Sequence, residues 1–340
     1  ARNLLRPYLN ELGAICLGAC RDSHPSVIKA ACTLVALVGK EVLPPLVKLM
    51  GGKAVQPYSA KLVEALLPHL RHRHAAVRVA TLEALEHTLL AGAGSSVEAL
   101  VGWRLANNVP ISEFYGKGEV RRNWLADLSR DGSPQVRRRF LATLTRWLRE
   151  MDGADLYEQE VRLFPYLLNL LVDPDAAIRT HALCAVTALG DEYLEQHEAE
   201  YREKVEYGHA EEAKRDARLN IDLPHPFDGR PPFGARVRVR NHFRALIHPI
   251  IAELDCWTAK ERVQSAALLE VLLIFVEDSA TEFGHMILPA ISKAAADSDD
   301  RELHRRVCRC AEVFAHHVDA RSYMPLFIQM SAQDPLNTLS

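Results

Sequence analysis

One unit recurs along this chain, and the recurrence limits what the chain can fold into more than any other feature. The unit is an apolar helical run with an internal proline, a short polar turn, then a second helical run that opens with a β-branched residue followed by Arg. The clearest copy reads Leu163-Phe164-Pro165-Tyr166-Leu167-Leu168, then Asp173-Pro174-Asp175, then Ile178-Arg179 and Ala182-Leu183. A second has Leu66-Leu67-Pro68-His69-Leu70 followed by Val77-Arg78, Ala80 and Leu82. A third has Asp131-Gly132-Ser133-Pro134, Val136-Arg137, then Leu141, Leu144 and Leu148. A fourth runs through Leu288-Pro289-Ala290-Ile291, the acidic turn from Asp297 to Asp300, and Cys308 to Val313. Weaker copies cover Leu12 to Val38 and Leu246 to Val276.

A proline bends the first helix of each unit, and Asp, Ser and Pro in the turn start the second. Asp173 stands six positions before Arg179 and Asp131 six before Arg137, so the pairs are expected to bond along the inter-helix turns. The pattern bends where His72 takes the Asp place before Arg78 and where Leu303 takes the Arg place after Asp297. Pro249 and Pro289 lie forty positions apart, the period of HEAT and armadillo units. No unit alone can bury both of its faces, so neighbours must stack. The expected fold is all-α: a HEAT/armadillo-type α-solenoid, a superhelix of about seven stacked antiparallel helix pairs.

Composition agrees. A chain of 340 residues is too long for one ordinary compact core, and 48% hydrophobic residues exclude a disordered chain. Lys and Arg number 41 against 44 Asp and Glu, which excludes a global pull toward nucleic acid or an anionic membrane. The seven cysteines, Cys16, Cys20, Cys32, Cys184, Cys256, Cys308 and Cys310, form no CxxC pair, and most lie in apolar helical stretches. That usage points to a reducing compartment. No signal peptide opens the chain, and no apolar run is expected to be long enough to cross a bilayer. The chain opens at Ala1 inside a helical pattern and ends just after another begins at Tyr323, as a fragment of a longer protein would.

Two interruptions divide the array. Asn107 to Glu119 reads as an inter-helix loop. Glu192 to Arg218 reads as a long helix charged nearly all round, followed by a Pro/Gly-rich loop with Pro224, Pro226, Pro231, Pro232, Gly229 and Gly234. The expected organisation is therefore residues 1–219 as N-terminal units ending in the charged helix, 220–235 as the inter-repeat loop and 236–340 as C-terminal units, in one continuous solenoid.

Chemistry is sparse. HExxH, GxSxG and the phosphate-cradling GxxxxGK[ST] are all missing. Deoxyhypusine hydroxylase is a HEAT solenoid that holds two irons through several His-Glu dipeptides; here only His197-Glu198 matches, and one pair cannot supply a two-metal site. His316-His317 point apart on a helix and chelate poorly. The basic runs Arg71 to His74, Arg137 to Arg139, Arg236 to Arg240 and Arg305-Arg306 with Arg309 sit beside acidic residues or at helix starts, where pairing with carboxylates is the simpler reading. No catalytic residue, cofactor site or metal site is expected.

The stretch after the Pro-rich loop carries a resemblance. It reads Arg230-Pro231-Pro232-Phe233-Gly234-Ala235-Arg236, Val239-Arg240-Asn241, Pro249, Trp257, Arg262, Ser265-Ala266, Leu268-Leu269, Leu272 and Glu277-Asp278 with Ala280-Thr281. This resembles the dynein axonemal assembly factor 5 family, also known as HEAT repeat-containing protein 2. The likeness covers roughly residues 125–330, the earlier part matching only as generic HEAT units. Departures are modest: the family's Cys after Gly is Ala235, its Asp-Trp pair is Cys256-Trp257 with Asp255 one place earlier, and its Lys before Ser-Ala is Gln264.

The resemblance implies a non-catalytic, cytoplasmic scaffold in the pre-assembly of axonemal dynein arms for cilia or flagella. It implies protein partners, namely dynein intermediate or heavy chains together with chaperones or other assembly factors, and no nucleic acid or membrane. Aromatics with Arg mark binding hot spots, so Arg230, Phe233, Arg236, Arg240 and Trp257 are the expected partner-binding patch. Glu at positions 236 and 240 is expected to weaken partner capture at unchanged helicity; a sharp loss of melting temperature instead would make those arginines structural. The alternative is a general HEAT adaptor for nuclear transport or a phosphatase scaffold. The four tryptophans, Trp103, Trp124, Trp147 and Trp257, form no regular ladder with Asn of the kind an importin-type adaptor would show.

Overall fold

The structure, a computed structural model, describes residues 7–101, 123–207, 222–296 and 300–333; these form helices and turns, with no strand among them. The loop expected at Asn107 to Glu119, most of the Asp297 to Asp300 turn and the charged stretch beyond Tyr207 lie outside the described residues. The chain divides into two compact units, residues 1–167 and 168–340.

The first unit holds α1 (Leu9–Ala19), α2 (Pro25–Leu37), α3 (Leu43–Met50), α4 (Gly52–Leu66), α5 (Ala75–Leu90), α6 (Val97–Val101), α7 (Trp124–Ser129), α8 (Pro134–Glu150) and most of α9 (Gly153–Asn169). Helices α2, α5 and α8 lie side by side in that order, each preceded in sequence by an outer helix packed on it. The second unit holds α10 (Ala176–Gln196), α11 (Glu198–Tyr207), α12 (Phe233–Leu254), α13 (Ala259–Val276), α14 (Gly284–Ala296), α15 (Arg301–His317) and α16 (Ala320–Gln333). Here α12 packs on α10 and α13, α13 on α15, and α14 on α12, α15 and α16. The expected helix-pair stacking is thus present within each unit. Internal prolines sit in α4 (Pro57), α9 (Pro165), α12 (Pro249), α14 (Pro289) and α16 (Pro325), and of these α4, α12 and α14 each pack on the helix that follows. Pro68 is not among them: it opens a 3-10 turn, Leu67–Arg71, at the end of α4.

The expected pairs bond along the turns, through the backbone carbonyl of the turn residue. Arg137 donates to the carbonyl of Asp131 at 2.6 Å and Arg179 to that of Asp173 at 2.7 Å, and Arg78 does the same to His72 at 2.6 Å. The side chain of the turn residue has another task. It accepts the N–H two positions on, Asp131 from Ser133 at 2.8 Å and Asp173 from Asp175 at 2.7 Å. His72 replaces Asp because its Nδ1 accepts the N–H of His74 in the same way, at 3.1 Å. The Asp131 carboxylate also takes the guanidinium of Arg78 from the preceding pair, both bonds at 2.7 Å, a fork-on-carboxylate contact that ties one turn to the next.

A second set of ties runs between inner helices. Buried Glu86 of α5 accepts Arg139 at 2.6 Å, Arg146 at 2.7 Å and the Thr143 hydroxyl at 2.9 Å, all from α8. Buried Glu270 of α13 accepts Arg306 at 3.1 Å and Arg309 at 3.4 Å from α15. Arg139 of the 137–139 run, and Arg305, Arg306 and Arg309 of the other, are therefore bound to carboxylates.

Two expectations need correction. Pro25 to Met50 is continuous helix, joined through a π-helical stretch at Val38–Val42, and it is long and apolar enough to span a bilayer by length and composition. Its Ile28, Cys32 and Val35 are instead buried in the first unit, where α2 packs on α5. The charged helix begins differently as well: α10 runs to Gln196, the chain turns at His197, and α11 follows. An aromatic stripe runs along it, His197 stacked on Tyr193 at 4.0 Å and buried Tyr201 edge-on to Phe233 at 6.2 Å. Arg238 of α12 lies over the Tyr193 ring at 4.7 Å, and Asn241 donates to the Tyr193 hydroxyl at 3.2 Å. Charge counting hid this stripe because its members are spaced four apart, on one face.

Helices α10 and α12 cross with backbones in contact. A Cβ on Gly190 would meet the Ala235 nitrogen at 2.3 Å, and one on Gly234 would meet the Gly190 carbonyl carbon at 2.6 Å. Both obstacles are backbone, so the helices themselves would have to separate. Gly190→Ala is expected to cost about 1–3 kcal/mol, the usual penalty of overpacking, and to lower the thermal midpoint in circular dichroism. Gly132→Ala, where a Cβ meets nothing, is expected to stay within about 0.5 kcal/mol of the parent.

Candidate functional site

Helix α13 ends at Glu277 with φ of 51° and ψ of −125°. These are the angles of the first central position of a II′ turn, for which glycine is the unstrained choice. A glutamate here carries strain, and its surroundings show what holds it in place. Its carboxylate is the meeting point of three arginines. Arg230 grips it with Nε and, at 2.8 Å, with Nη2. Arg236 and Arg240 each reach the same Oε2 at 2.9 Å. The Glu277 and Arg236 side chains are each 3% exposed and that of Arg230 6%. Burial pushes the Glu277 carboxyl up, but the Arg230 hydrogen bond and the Arg236, Arg230 and Arg240 charges outweigh it and hold it below the ordinary carboxylate value. His317 of α15 faces the cluster, and burial holds its imidazole down to about 4, so it is neutral there.

Arg236 also donates to the Pro231 carbonyl at 3.0 Å and lies over the Phe233 ring at 5.5 Å. Segment 222–232 is thereby fastened along its length. His225 accepts from Arg179 of α10 at 3.1 Å, buried Phe227 packs edge-on against Phe275 of α13 at 5.4 Å, and Arg309 of α15 donates to the Asp222 carbonyl. The segment links α10, α13 and α15 as a staple.

Of the five expected contact residues, the structure brings Arg230, Phe233, Arg236 and Arg240 together around Glu277 and leaves Trp257 apart. Arg230 and Arg236 turn their guanidinium groups inward to a carboxylate, and Phe233 is half-buried between Tyr201 and Arg236. Trp257 is 94% exposed, on the α12–α13 turn. Sequence reasoning missed Glu277. Its signal was available: an acidic residue at the end of an apolar helix, in a stretch where three nearby arginines had no assigned partner.

Beside the Trp257 turn lies a groove of about 360 Å³ between the C-terminal half of α12, the start of α13 and α14. Ile251, Leu254, Met286 and Ala290 give it an apolar lining, and Asp255, Arg262 and Lys293 are its charged groups. Among the described residues, no three His, Cys, Asp or Glu side chains are grouped as metal ligands.

Two family models match the chain. Residues 223–338 match the HEAT-repeat domain of dynein axonemal assembly factor 5, and residues 1–110 match TPR repeats described as dynein axonemal assembly factor 5-like. Dynein axonemal assembly factor 5 of Mus musculus is 23% identical over 335 residues, 97% of this chain and 34% of the mouse protein. The Homo sapiens protein of that name is 25% identical over 82% of this chain and 28% of its own length, and the Xenopus laevis protein 22% identical over 98% and 35%. The chain thus spans about a third of the length of the curated relatives it matches. The likeness extends beyond residues 125–330 into the first 110, where the matching model is of TPR type. A designed armadillo repeat protein, 10% identical over 88% of this chain and 98% of its own, superposes with a TM-score of only 0.36 and carries no further argument.

Removing the Glu277 charge leaves buried guanidinium groups uncompensated, so Glu277→Gln is expected to cost about 3–5 kcal/mol at pH 7. A carboxyl held below its unfolded value of 4.5 contributes stability that is complete above that value and is lost as pH falls through the folded one. The gap between parent and Glu277→Gln in urea melts is therefore expected to stay constant from pH 7 to about 5 and to close at lower pH. Arg236→Glu, which sets two carboxylates face to face, is expected to lower the melting temperature sharply, the outcome that makes Arg236 a structural residue.

Proposed function

We infer the function of this chain from its family: it belongs to the dynein axonemal assembly factor 5 family. The chain is a non-catalytic helical-repeat scaffold acting in the assembly of axonemal dynein arms, before their delivery to cilia or flagella and in the cytoplasm. Its partners are axonemal dynein intermediate or heavy chains, together with chaperones or other assembly factors. The observation that carries this reading is the match of two models of one family, one at each end of the chain, joined by relatives that align across nearly all of it.

The architecture supports a binding role through shape. Stacked helix pairs present extended surfaces to long partners. The buried carboxylates Glu86, Glu270 and Glu277 neutralise many of the inner arginines, which favours a protein surface over a phosphate backbone as the partner. Of the five residues expected to form the contact patch, Trp257 is the one wholly available to a partner, and Phe233 and Arg240 are available in part.

Affinity purification of the full-length protein from the soluble cytoplasmic fraction of ciliating cells, followed by mass spectrometry, tests the reading. Axonemal dynein chains and chaperones are expected among the enriched proteins. Nuclear-transport cargo or phosphatase subunits without dynein chains would give the repeat array to a general adaptor instead. Metal analysis of the purified protein is expected to find neither iron nor zinc in stoichiometric amount; finding either would overturn the non-catalytic reading.

A further inference from the structure

Of the four basic runs in the sequence, three meet carboxylates in the structure: Arg139 on Glu86, Arg306 and Arg309 on Glu270, and Arg236 and Arg240 on Glu277. The fourth, Arg71 to His74, does not. Arg71 and Arg73 are exposed, and among the described residues no carboxylate stands within ion-pair distance of either. Position 72 is where this turn departs from its neighbours. Two corresponding turns have Asp131 and Asp173 there, whereas His72 makes the same turn bond without a negative charge.

The turns beside it extend the same chemistry into a ridge. His69 donates to the Cys20 carbonyl at 2.7 Å, which sets the turn at Arg21 to His24 alongside, and Arg78 on Asp131 ties in the turn at Arg130 to Ser133. Helices α2, α5 and α8 begin at these turns and add the partial positive charge of their N-termini. Arg21 is exposed and, like Arg71 and Arg73, has no carboxylate within ion-pair distance among the described residues. The carboxylates of the ridge are Asp22, which accepts the His24 N–H at 2.6 Å, Asp131, which is bound to Arg78, and Asp127, which lies one turn before Arg130. Glu11 of α1, Glu64 of α4 and Glu83 of α5 stand about two turns or more away along their helices. The histidines add donors. His24 accepts the Ser26 N–H on Nδ1 at 3.3 Å, His72 accepts the His74 N–H on Nδ1 at 3.1 Å, and His74 accepts Arg73 Nε on Nε2 at 3.2 Å. A neutral imidazole that accepts on one nitrogen carries its proton on the other. His24 Nε2, His72 Nε2 and His74 Nδ1 are therefore N–H donors, and none has a partner among the described residues. Burial and the charges of His74, Arg73 and His69 hold His72 below the ordinary histidine value, as cationic surroundings do.

We propose that the ridge formed by the turns at 21–24, 71–74 and 130–133 binds an acidic segment of a partner protein. Outside its aspartates, the ionisable side chains of the ridge offer donors only, and a carboxylate is an acceptor only. Neighbouring helices lie about 8–10 Å apart, so the ridge spans about 20 Å, the reach of about six residues of extended chain. A peptide can set carboxylates against Arg21, Arg71 and Arg73 and neutral residues against Asp22 and Asp127. A phosphate backbone carries a charge at every residue and has no such choice, which favours a peptide over nucleic acid. The inference rests on the scaffold reading above for its biological use.

The test is fluorescence polarisation of a labelled hexaglutamate peptide at low salt with the parent chain, His72→Asp, Arg71→Glu and Lys260→Glu. His72→Asp puts in the residue that the corresponding turns already use, so it is expected to melt as the parent does while placing a carboxylate between Arg71 and Arg73. Lys260 is an exposed cation of the second unit and controls for net charge. Hexaglutamate is expected to bind the parent, to weaken as salt is added, and to bind His72→Asp and Arg71→Glu at least about ten-fold more weakly, as like charges brought together do. Lys260→Glu is expected to bind as the parent does. No binding to the parent, equal binding to parent and His72→Asp, or equal weakening by Lys260→Glu would each overturn the site. Tighter binding of a labelled oligothymidylate, or of phosphatidylserine vesicles, than of hexaglutamate would give the ridge to nucleic acid or membrane and also overturn it. Capture of dynein chains from cells without hexaglutamate binding would sink the ridge and leave the scaffold. Hexaglutamate binding as expected without any dynein capture would support the ridge and sink the family-based function alone.

Discussion

Stacked amphipathic helices bury apolar faces without direction, so something else must fix how far each slides and turns against the next. In this chain that role falls to buried carboxylates bound to arginines of a neighbouring helix or segment. Glu86 binds Arg139 and Arg146, Glu270 binds Arg306 and Arg309, and Glu277 binds Arg230, Arg236 and Arg240. A buried ion pair adds little net stability over an apolar pair of equal volume, because desolvation offsets the attraction. Its effect is on arrangement: any slip that separates the partners strands a charge in the interior. The Asp131 carboxylate does similar work at the turns, joining Arg78 of one pair to the next.

Glu277 shows how far this constraint reaches. The backbone there adopts a conformation that suits glycine, yet glycine has no carboxylate. Three guanidinium groups converge on the residue, one from the Pro-rich segment and two from α12, so a single side chain joins the end of α13 to both. Segment 222–232 has little regular structure of its own and is ordered by what it touches: Arg179, Phe275, Glu277 and Arg309.

Much of the architecture was legible in the sequence because the repeat is carried by local chemistry. Prolines in several outer helices, Asp-Pro and Ser-Pro turns and a β-branched residue before Arg mark many of the pairs without reference to distant contacts. What depended on distance was not legible. The arginines at 230, 236 and 240 read as a surface patch because their carboxylate lies roughly forty positions away in sequence and adjacent in space. Tyr193, His197 and Tyr201 were hidden inside a charge run whose opposite face dominates the composition. Trp257 was legible as a candidate, but its isolation from the arginines, and the groove beside it, follow from how α12, α13 and α14 meet.

The turn at His72 has a consequence for how such chains diverge. Arg78 reads the carbonyl of residue 72 rather than its side chain, and the side chain needs only an acceptor aimed two residues ahead. The information that specifies the turn is thus split unevenly. The arginine carries a requirement that few residues meet, while the position six before it tolerates any side chain with a lone pair at the right reach. A lineage can rewrite that position repeatedly and keep the same bend. Within this one chain the turn keeps its geometry while its residue changes from Asp131 and Asp173 to His72, so the geometry outlasts the spelling.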